Sequence, residues 1–228
     1  MMKLILLPGL DGTGELFEPF INELPATLDV ETIAYPTEPT LSYNELLAYV
    51  EIQLPKEDFI IIAESFSGWI AYQIALQNFV HLRSIIFVAT FLQPPKLLKF
   101  SKFFPLRLIA SLSIPRIIIK HLLLGKKVED HRITFFQQTI DKVPSNIIVF
   151  RLQEIAQLSL SQDISKLEVS YIKAIDDKLV ESQCIAQFKA CFARVMVDEV
   201  DGGHLILQAN PQECAKIVMN RMRKSKIN

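Results

Sequence analysis

The chain is poor in cysteine, in net charge and in long apolar runs, and each shortage excludes a class of protein. Its three cysteines, Cys184, Cys191 and Cys214, all fall in the last quarter of the sequence. So small and odd a set, without close metal-ligand spacing, argues against a disulfide framework and against a zinc site. A reducing, cytoplasmic setting is the expectation. Acidic and basic side chains nearly balance, with a formal net charge of -1, which gives no electrostatic reason to expect nucleic acid as a partner. No apolar run reaches the roughly 18 residues of a membrane span, because Arg107, Arg116 and Lys120 interrupt the best candidates. Met1 to Leu7 is apolar only briefly before Pro8 and Gly9, so no signal peptide is expected. Neither a G-x-G-x-x-G turn nor a P-loop lysine is present, which argues against a phosphate-cradling nucleotide domain.

What the chain does hold is material for a large core. At 228 residues, 50% hydrophobic and 21% charged, it is too apolar for disorder and of a size for one domain spanning 1–228. Short β-rich runs read as strands at Lys3–Leu7, Asp29–Tyr35, Phe59–Ala63, Ser84–Thr90, Val169–Ile175 and Arg194–Val200. Helical periodicity fills the gaps at Leu16–Leu24, Leu41–Leu54, Phe66–Asn78, Val180–Ala190 and Pro211–Arg223. Repeated strand-helix-strand order predicts an α/β fold, a mostly parallel sheet of about six strands with helices on both faces. The stretch 91–166 breaks this rhythm. It carries helical pattern punctuated by prolines and no convincing strand, as a helical cap inserted over the carboxyl ends of the strands would.

Four short segments carry chemistry. In Phe59-Ile-Ile-Ile-Ala-Glu-Ser65-Phe-Ser-Gly68 a buried strand runs into a serine and a helix begins at once. A nucleophile on so sharp a turn needs small residues two before and two after it, and Ala63 and Ser67 qualify. A serine there is also an ordinary helix N-cap. Leu7-Pro-Gly-Leu10-Asp-Gly-Thr-Gly14 follows the first strand. Such a turn can aim the N–H of Leu10, with that of Phe66, at a developing oxyanion, or can simply be tight. Asp176 and Asp177 follow the fifth strand, where a carboxylate can orient an imidazole or cap the next helix. Asp177, farther from the strand end, is preferred. His204 follows Gly202 and Gly203 after the last strand, whereas His81, His121 and His131 lie in or beside helical pattern.

The order strand-Ser, strand-Asp, strand-His resembles the α/β-hydrolase superfamily, over roughly 1–90 and 167–223. The resemblance implies a three-layer α/β-hydrolase fold lacking the first two family strands, since the chain opens on the oxyanion-loop strand. It implies Ser65 as nucleophile, Asp177 as acid, His204 as base, and Leu10 and Phe66 as oxyanion donors. The family's G-x-x-D is matched by Ala174-x-x-Asp177, and its usual glycines around the nucleophile are replaced by Ala63 and Ser67. The implied activity is hydrolysis of carboxylic esters of small or medium acyl groups, without metal or organic cofactor. A thioesterase acting on acyl groups carried by acyl carrier protein or coenzyme A is the rival, and a non-catalytic binding member a more distant one. The cap is basic between Pro95 and Val128, with Lys96, Lys99, Lys102, Arg107, Arg116, Lys120, Lys126 and Lys127 and no acidic residue. Apolar residues between these charges would suit an acyl chain on an anionic carrier or an anionic membrane surface, or a solvated lid.

Overall fold

The computed structural model describes residues 2–96, 115–160 and 163–225. The first half runs β1 (Lys3–Leu7), a 3-10 turn Glu15–Phe17 into α1 (Glu18–Ile21), β2 (Val30–Thr32), α2 (Tyr43–Glu51) and β3 (Phe59–Glu64). A second 3-10 turn, Ser65–Ser67, leads into α3 (Gly68–Leu76) and then β4 (Leu82–Val88). Next come α4 (Arg116–Ile118) with its π-helical continuation Ile119–Leu124, α5 (Asp130–Ile140) and α6 (Ser145–Ala156). The chain then returns to the sheet through β5 (Ser165–Ala174), α7 (Cys184–Cys191) and β6 (Phe192–Val200), and finishes with α8 (Ile206–Ala209) and α9 (Pro211–Ser225). The six strands form one sheet in the order β2-β1-β3-β4-β5-β6, every pairing parallel.

Side-chain alternation along the strands makes this a three-layer molecule. Ile5, Leu7, Ile61, Ala63, Ile85, Phe87, Val169 and Tyr171 point to one face, where Leu46 and Val50 of α2, Ile70 and Ile74 of α3 and Phe188 of α7 cover them. Leu4, Leu6, Ile60, Ile62, Ile86, Val88, Ile172 and Ala174 point to the other, beneath Phe20 of α1, Ile206 of α8 and Val218 and Met222 of α9. Strands buried on both faces have no polar side to show, which is why β3 is apolar from Phe59 to Ala63. The chain moves outward from β1 to β2 and then crosses back to β3 on the opposite side. The carboxyl ends of β1 and β3 therefore flank the point where strand order reverses, the usual place for a crevice in such sheets.

Element bounds shift where a specific contact intervenes. The second strand is three residues long because Tyr35 leaves the ladder to donate to the Gly12 carbonyl, at 2.7 Å, just before Pro36. The helix expected from Val180 begins at Cys184, and the N–H groups of Leu179 and Val180, in the turn before it, are held by Asp177. Within 91–166 the regular elements of the described residues are helices until β5 opens at Ser165. Their apolar residues Ile119, Leu124, Ile133 and Phe136 form a small core with Leu16 and Leu205.

Phe188 joins the sheet to its helical cover, with ring centroids 4.6 Å from Phe87, 5.0 Å from Tyr171 and 6.4 Å from Phe192. Phe188→Ala is expected to cost about 3–5 kcal/mol by emptying that site, read as a lower urea midpoint at unchanged slope.

Candidate active site

Ser65 leaves the end of β3 with a φ of 46°, a left-handed conformation that a side-chain-bearing residue adopts at a cost of about 1–3 kcal/mol. Hydroxyl donors hold the turn in this shape. The Thr90 hydroxyl donates to the Ser65 carbonyl, and the Tyr43 hydroxyl donates to the Phe66 carbonyl at 2.9 Å. Ser67, where the family usually has glycine, donates its hydroxyl proton to the Pro8 carbonyl. Since that proton is committed, the neighbouring Tyr35 hydroxyl must be the donor in its hydrogen bond to Ser67. The serine in the glycine position therefore ties the Ser65 turn to the glycine-rich loop after β1.

The structure brings Ser65, His204 and Asp177 together from the carboxyl ends of three strands. Ser65 Oγ lies 2.8 Å from His204 Nε2, and His204 Nδ1 lies 2.9 Å from Asp177 Oδ2. The other carboxylate oxygen, Oδ1, accepts the N–H groups of Leu179 and Val180 at 2.8 and 2.9 Å. A carboxylate only accepts, so Nδ1 carries the imidazole proton and Nε2 faces the serine hydroxyl as an acceptor. The imidazole and the Asp177 carboxylate are each 6% exposed, and Ser65 is also buried. Asp176 is exposed, and its N–H donates to the Gly202 carbonyl. His81 and His131 sit at the surface beside Asp58 and Glu129, and neither enters the site.

The inserted helices grip the histidine loop through backbone. The Gly203 and Leu205 N–H groups donate to the Leu124 and Leu123 carbonyls at 3.2 and 2.8 Å. A Cβ at Gly203 would sit 2.6 Å from the Leu123 carbonyl oxygen, so only glycine permits this approach.

Phe66 follows the serine directly, and Leu10 lies in the loop after β1, where a Cβ built on the preceding Gly9 would stand 4.0 Å from Ser65 Cβ. Phe66 is second in its 3-10 turn, where a helix N–H has no partner of its own. Leu10 has no acceptor for its N–H among the described residues. Beside them lies a residue that the sequence reading passed over. Arg151 of α6 is 2% exposed, and its Nη1 donates to the Leu10 and Asp11 carbonyls at 2.9 and 2.7 Å. Spacing alone marks Arg151 as a cation in line with Ile147 and Ile155 at helical period, and its burial is seen only in the folded protein.

The basic rim of the insertion divides. Lys99, Lys102 and Arg107, with Leu97, Leu98, Phe100, Phe103, Phe104 and Leu106, lie outside the described residues. Lys96 pairs with Glu181 and Lys127 with Asp201, while Arg116 donates to Thr134 and Gln137. Among the described residues no cluster of three His, Cys, Asp or Glu stands ready for a metal ion, and no helix is long and apolar enough to cross a membrane.

Glu64, immediately before the serine, is a second buried ionisable group. Burial, with Asp11 beside it, pushes its carboxyl up to about 8, against a weaker opposing hydrogen bond from Gln208. The folded protein therefore holds a proton on Glu64 over a pH range in which the unfolded chain, ordinary at 4.5, has released it. Stability from this group is full below pH 4.5, declines as pH rises toward 8, and levels off above that. Glu64→Gln should flatten that part of the profile, measured as urea midpoints from pH 5 to pH 9 for both proteins.

No protein-family model matches the chain, and no curated protein matches it in sequence. Solved structures do. A lipase-esterase related protein from Clostridium acetobutylicum superposes with a TM-score of 0.77 at 14% identity, over 96% of this chain and 93% of that one. An esterase from Thermogutta terrifontis gives 0.76 at 14% identity, over 99% and 90%. ClbQ, from the colibactin NRPS/PKS pathway, gives 0.68 at 14% identity, over 99% and 98%. With six parallel strands in the order described and a serine at the sharp turn after β3, the chain has the α/β-hydrolase fold.

Proposed function

We propose that the protein is a serine hydrolase that cleaves carboxylic esters through an acyl-enzyme intermediate. The observation that carries this reading is the continuous hydrogen-bonded line from Ser65 through His204 to Asp177, at 2.8 and 2.9 Å. Ser65 Oγ attacks the ester carbonyl while His204 Nε2 takes its proton, and the carbonyl π electrons move to oxygen as the C–O bond to serine forms. The N–H groups of Leu10 and Phe66 receive that oxyanion. Collapse of the tetrahedral intermediate expels the alcohol, which leaves with the proton from His204. Water, deprotonated by the same nitrogen, then releases the acid and restores the serine. Asp177 holds the imidazole in the required tautomer and stabilises its charged form, with its own orientation fixed by Leu179 and Val180.

The same steps open a thioester, with a thiol as the leaving group. That reading is favoured by the likeness to ClbQ, whose pathway is an NRPS/PKS one, and it needs no change in the residues assigned here. Esters are preferred because the lipase-esterase related protein and the Thermogutta esterase superpose better than ClbQ does.

A matched panel of p-nitrophenyl esters and acyl thioesters, graded in chain length, tests both. The wild type should turn over one set with saturation kinetics. Ser65→Ala should reduce kcat to background, and Asp177→Asn should lower it about 10^4-fold at little change in KM. Turnover that survives Ser65→Ala would overturn the reading. A preference for thioesters at every chain length would move it to the thioesterase alternative.

A further inference from the structure

We propose that Arg151 is a positioning residue for the oxyanion hole: from the inserted helix α6, its guanidinium sets the Leu10 side of the hole against the Phe66 side. This inference rests on the ester-hydrolase reading and adds to it a residue that makes no contact with the reacting atoms.

The guanidinium is spread over backbone carbonyls rather than over an acid. Nη1 donates to Leu10 and Asp11 at 2.9 and 2.7 Å, Nη2 donates to the Pro36 carbonyl at 3.3 Å, and Arg151 forms no ion pair among the described residues. The buried Asp11 acts on the guanidinium through its charge without forming an ion pair with it, and a buried cation held chiefly by carbonyls is costly and does not serve the core better than an apolar side chain of similar size would. What it does here is geometric. The group lies 5.9 Å from the centroid of the Phe66 ring and 5.7 Å from that of Tyr35, so one side chain touches the residues of both oxyanion donors. The Phe66 ring is in turn stacked on Tyr43, with centroids 4.4 Å apart, and the Tyr43 hydroxyl fixes the Phe66 carbonyl.

The loop's own bonding shows which polar group remains for a ligand. The Gly9 carbonyl accepts the Gly12 N–H at 3.1 Å. In a trans peptide the N–H points opposite to the carbonyl, so that bond turns the Leu10 N–H to the other side of the loop. The Leu10 carbonyl is taken by Arg151. With the carbonyls on both sides committed, the N–H between them keeps one direction before substrate arrives, which is the condition for electrostatic stabilisation without reorganisation. Loop and arginine also fit each other sterically. Gly12 has a φ of +71°, and a Cβ there would stand 2.3 Å from Arg151 Nη1.

The test compares wild type with Arg151→Lys and Arg151→Met, with active sites counted by fluorophosphonate labelling run to completion. Kinetics on one p-nitrophenyl ester, inhibition by a trifluoromethyl ketone with the same acyl chain, and thermal midpoints are measured together. The ketone is bound as a tetrahedral oxyanion, so its affinity reads the hole directly. We expect kcat per labelled site to fall about 10- to 100-fold, less in the lysine variant, with KM within about threefold. The inhibition constant should rise by the factor by which kcat/KM falls, while the acid limb of the pH profile stays in place. A folded variant with wild-type kcat and inhibition overturns the inference, as does a change confined to KM. Loss of folding in both variants also overturns it, since the arginine would then serve the core alone. If wild type itself neither labels nor hydrolyses, the ester-hydrolase reading falls and takes this inference with it; an active wild type with unaffected variants removes only the inference.

Discussion

A left-handed backbone at Ser65 is the constraint around which the rest of the site is organised. A φ of 46° lifts the side chain off the end of β3 and starts a helix within one residue, but nothing in an isolated chain favours it. The surrounding structure must over-determine that turn, and it does so from several directions. Thr90 comes from beyond β4, Tyr43 from the start of α2, and Ser67, tied to Pro8, from the turn itself. Each holds a carbonyl, either of the turn or of the loop beside it. Tyr171 on β5 extends the network by accepting the Thr90 N–H and donating to the Thr90 carbonyl. Strain at one residue is thus carried by bonds distributed over the sheet and both flanking loops.

Much of this was legible in the sequence because its causes are local. The apolar run Phe59–Ala63, followed after Glu64 by a serine and a glycine-bearing helix, sets strand, turn and helix within a dozen residues. The alternation of β-rich and helical segments is enough to predict the parallel sheet. The preference for Asp177 over Asp176 also has a local basis, since the second acid lies far enough past β5 to turn back toward His204. What could not be read depends on distant partners. An arginine in a helix ordinarily belongs in water, and only the folded loop around Leu10 shows why Arg151 is buried. Ser67 looks like a tolerated deviation from glycine until Pro8 and Tyr35 are seen beside it. The start of α7 at Cys184 is equally non-local, since the carboxylate bonded to His204 also holds the turn before the helix through the N–H groups of Leu179 and Val180.

The described part of the insertion is joined to the site by polar contacts rather than by packing alone. Carbonyls at the end of its π-helix hold the loop that carries His204, and Arg151 reaches the loop that carries Leu10. Ordering of the insertion and geometry of the site are therefore coupled through the same few bonds. Glu64 marks the opposite side of the serine, where a carboxyl sits with its Oε1 unpartnered among the described residues and its acidity suppressed by burial. Neutral there, it spares the site a second negative charge close to Asp11.

The central claim is that Ser65 is an activated nucleophile. Reaction of the folded protein with a fluorophosphonate, followed by intact mass and peptide mapping, tests it most directly. The account predicts a single covalent adduct on the peptide containing Ser65, formed within minutes and absent from Ser65→Ala. A well-folded wild type that takes no label, or that carries it on another residue, would contradict the account.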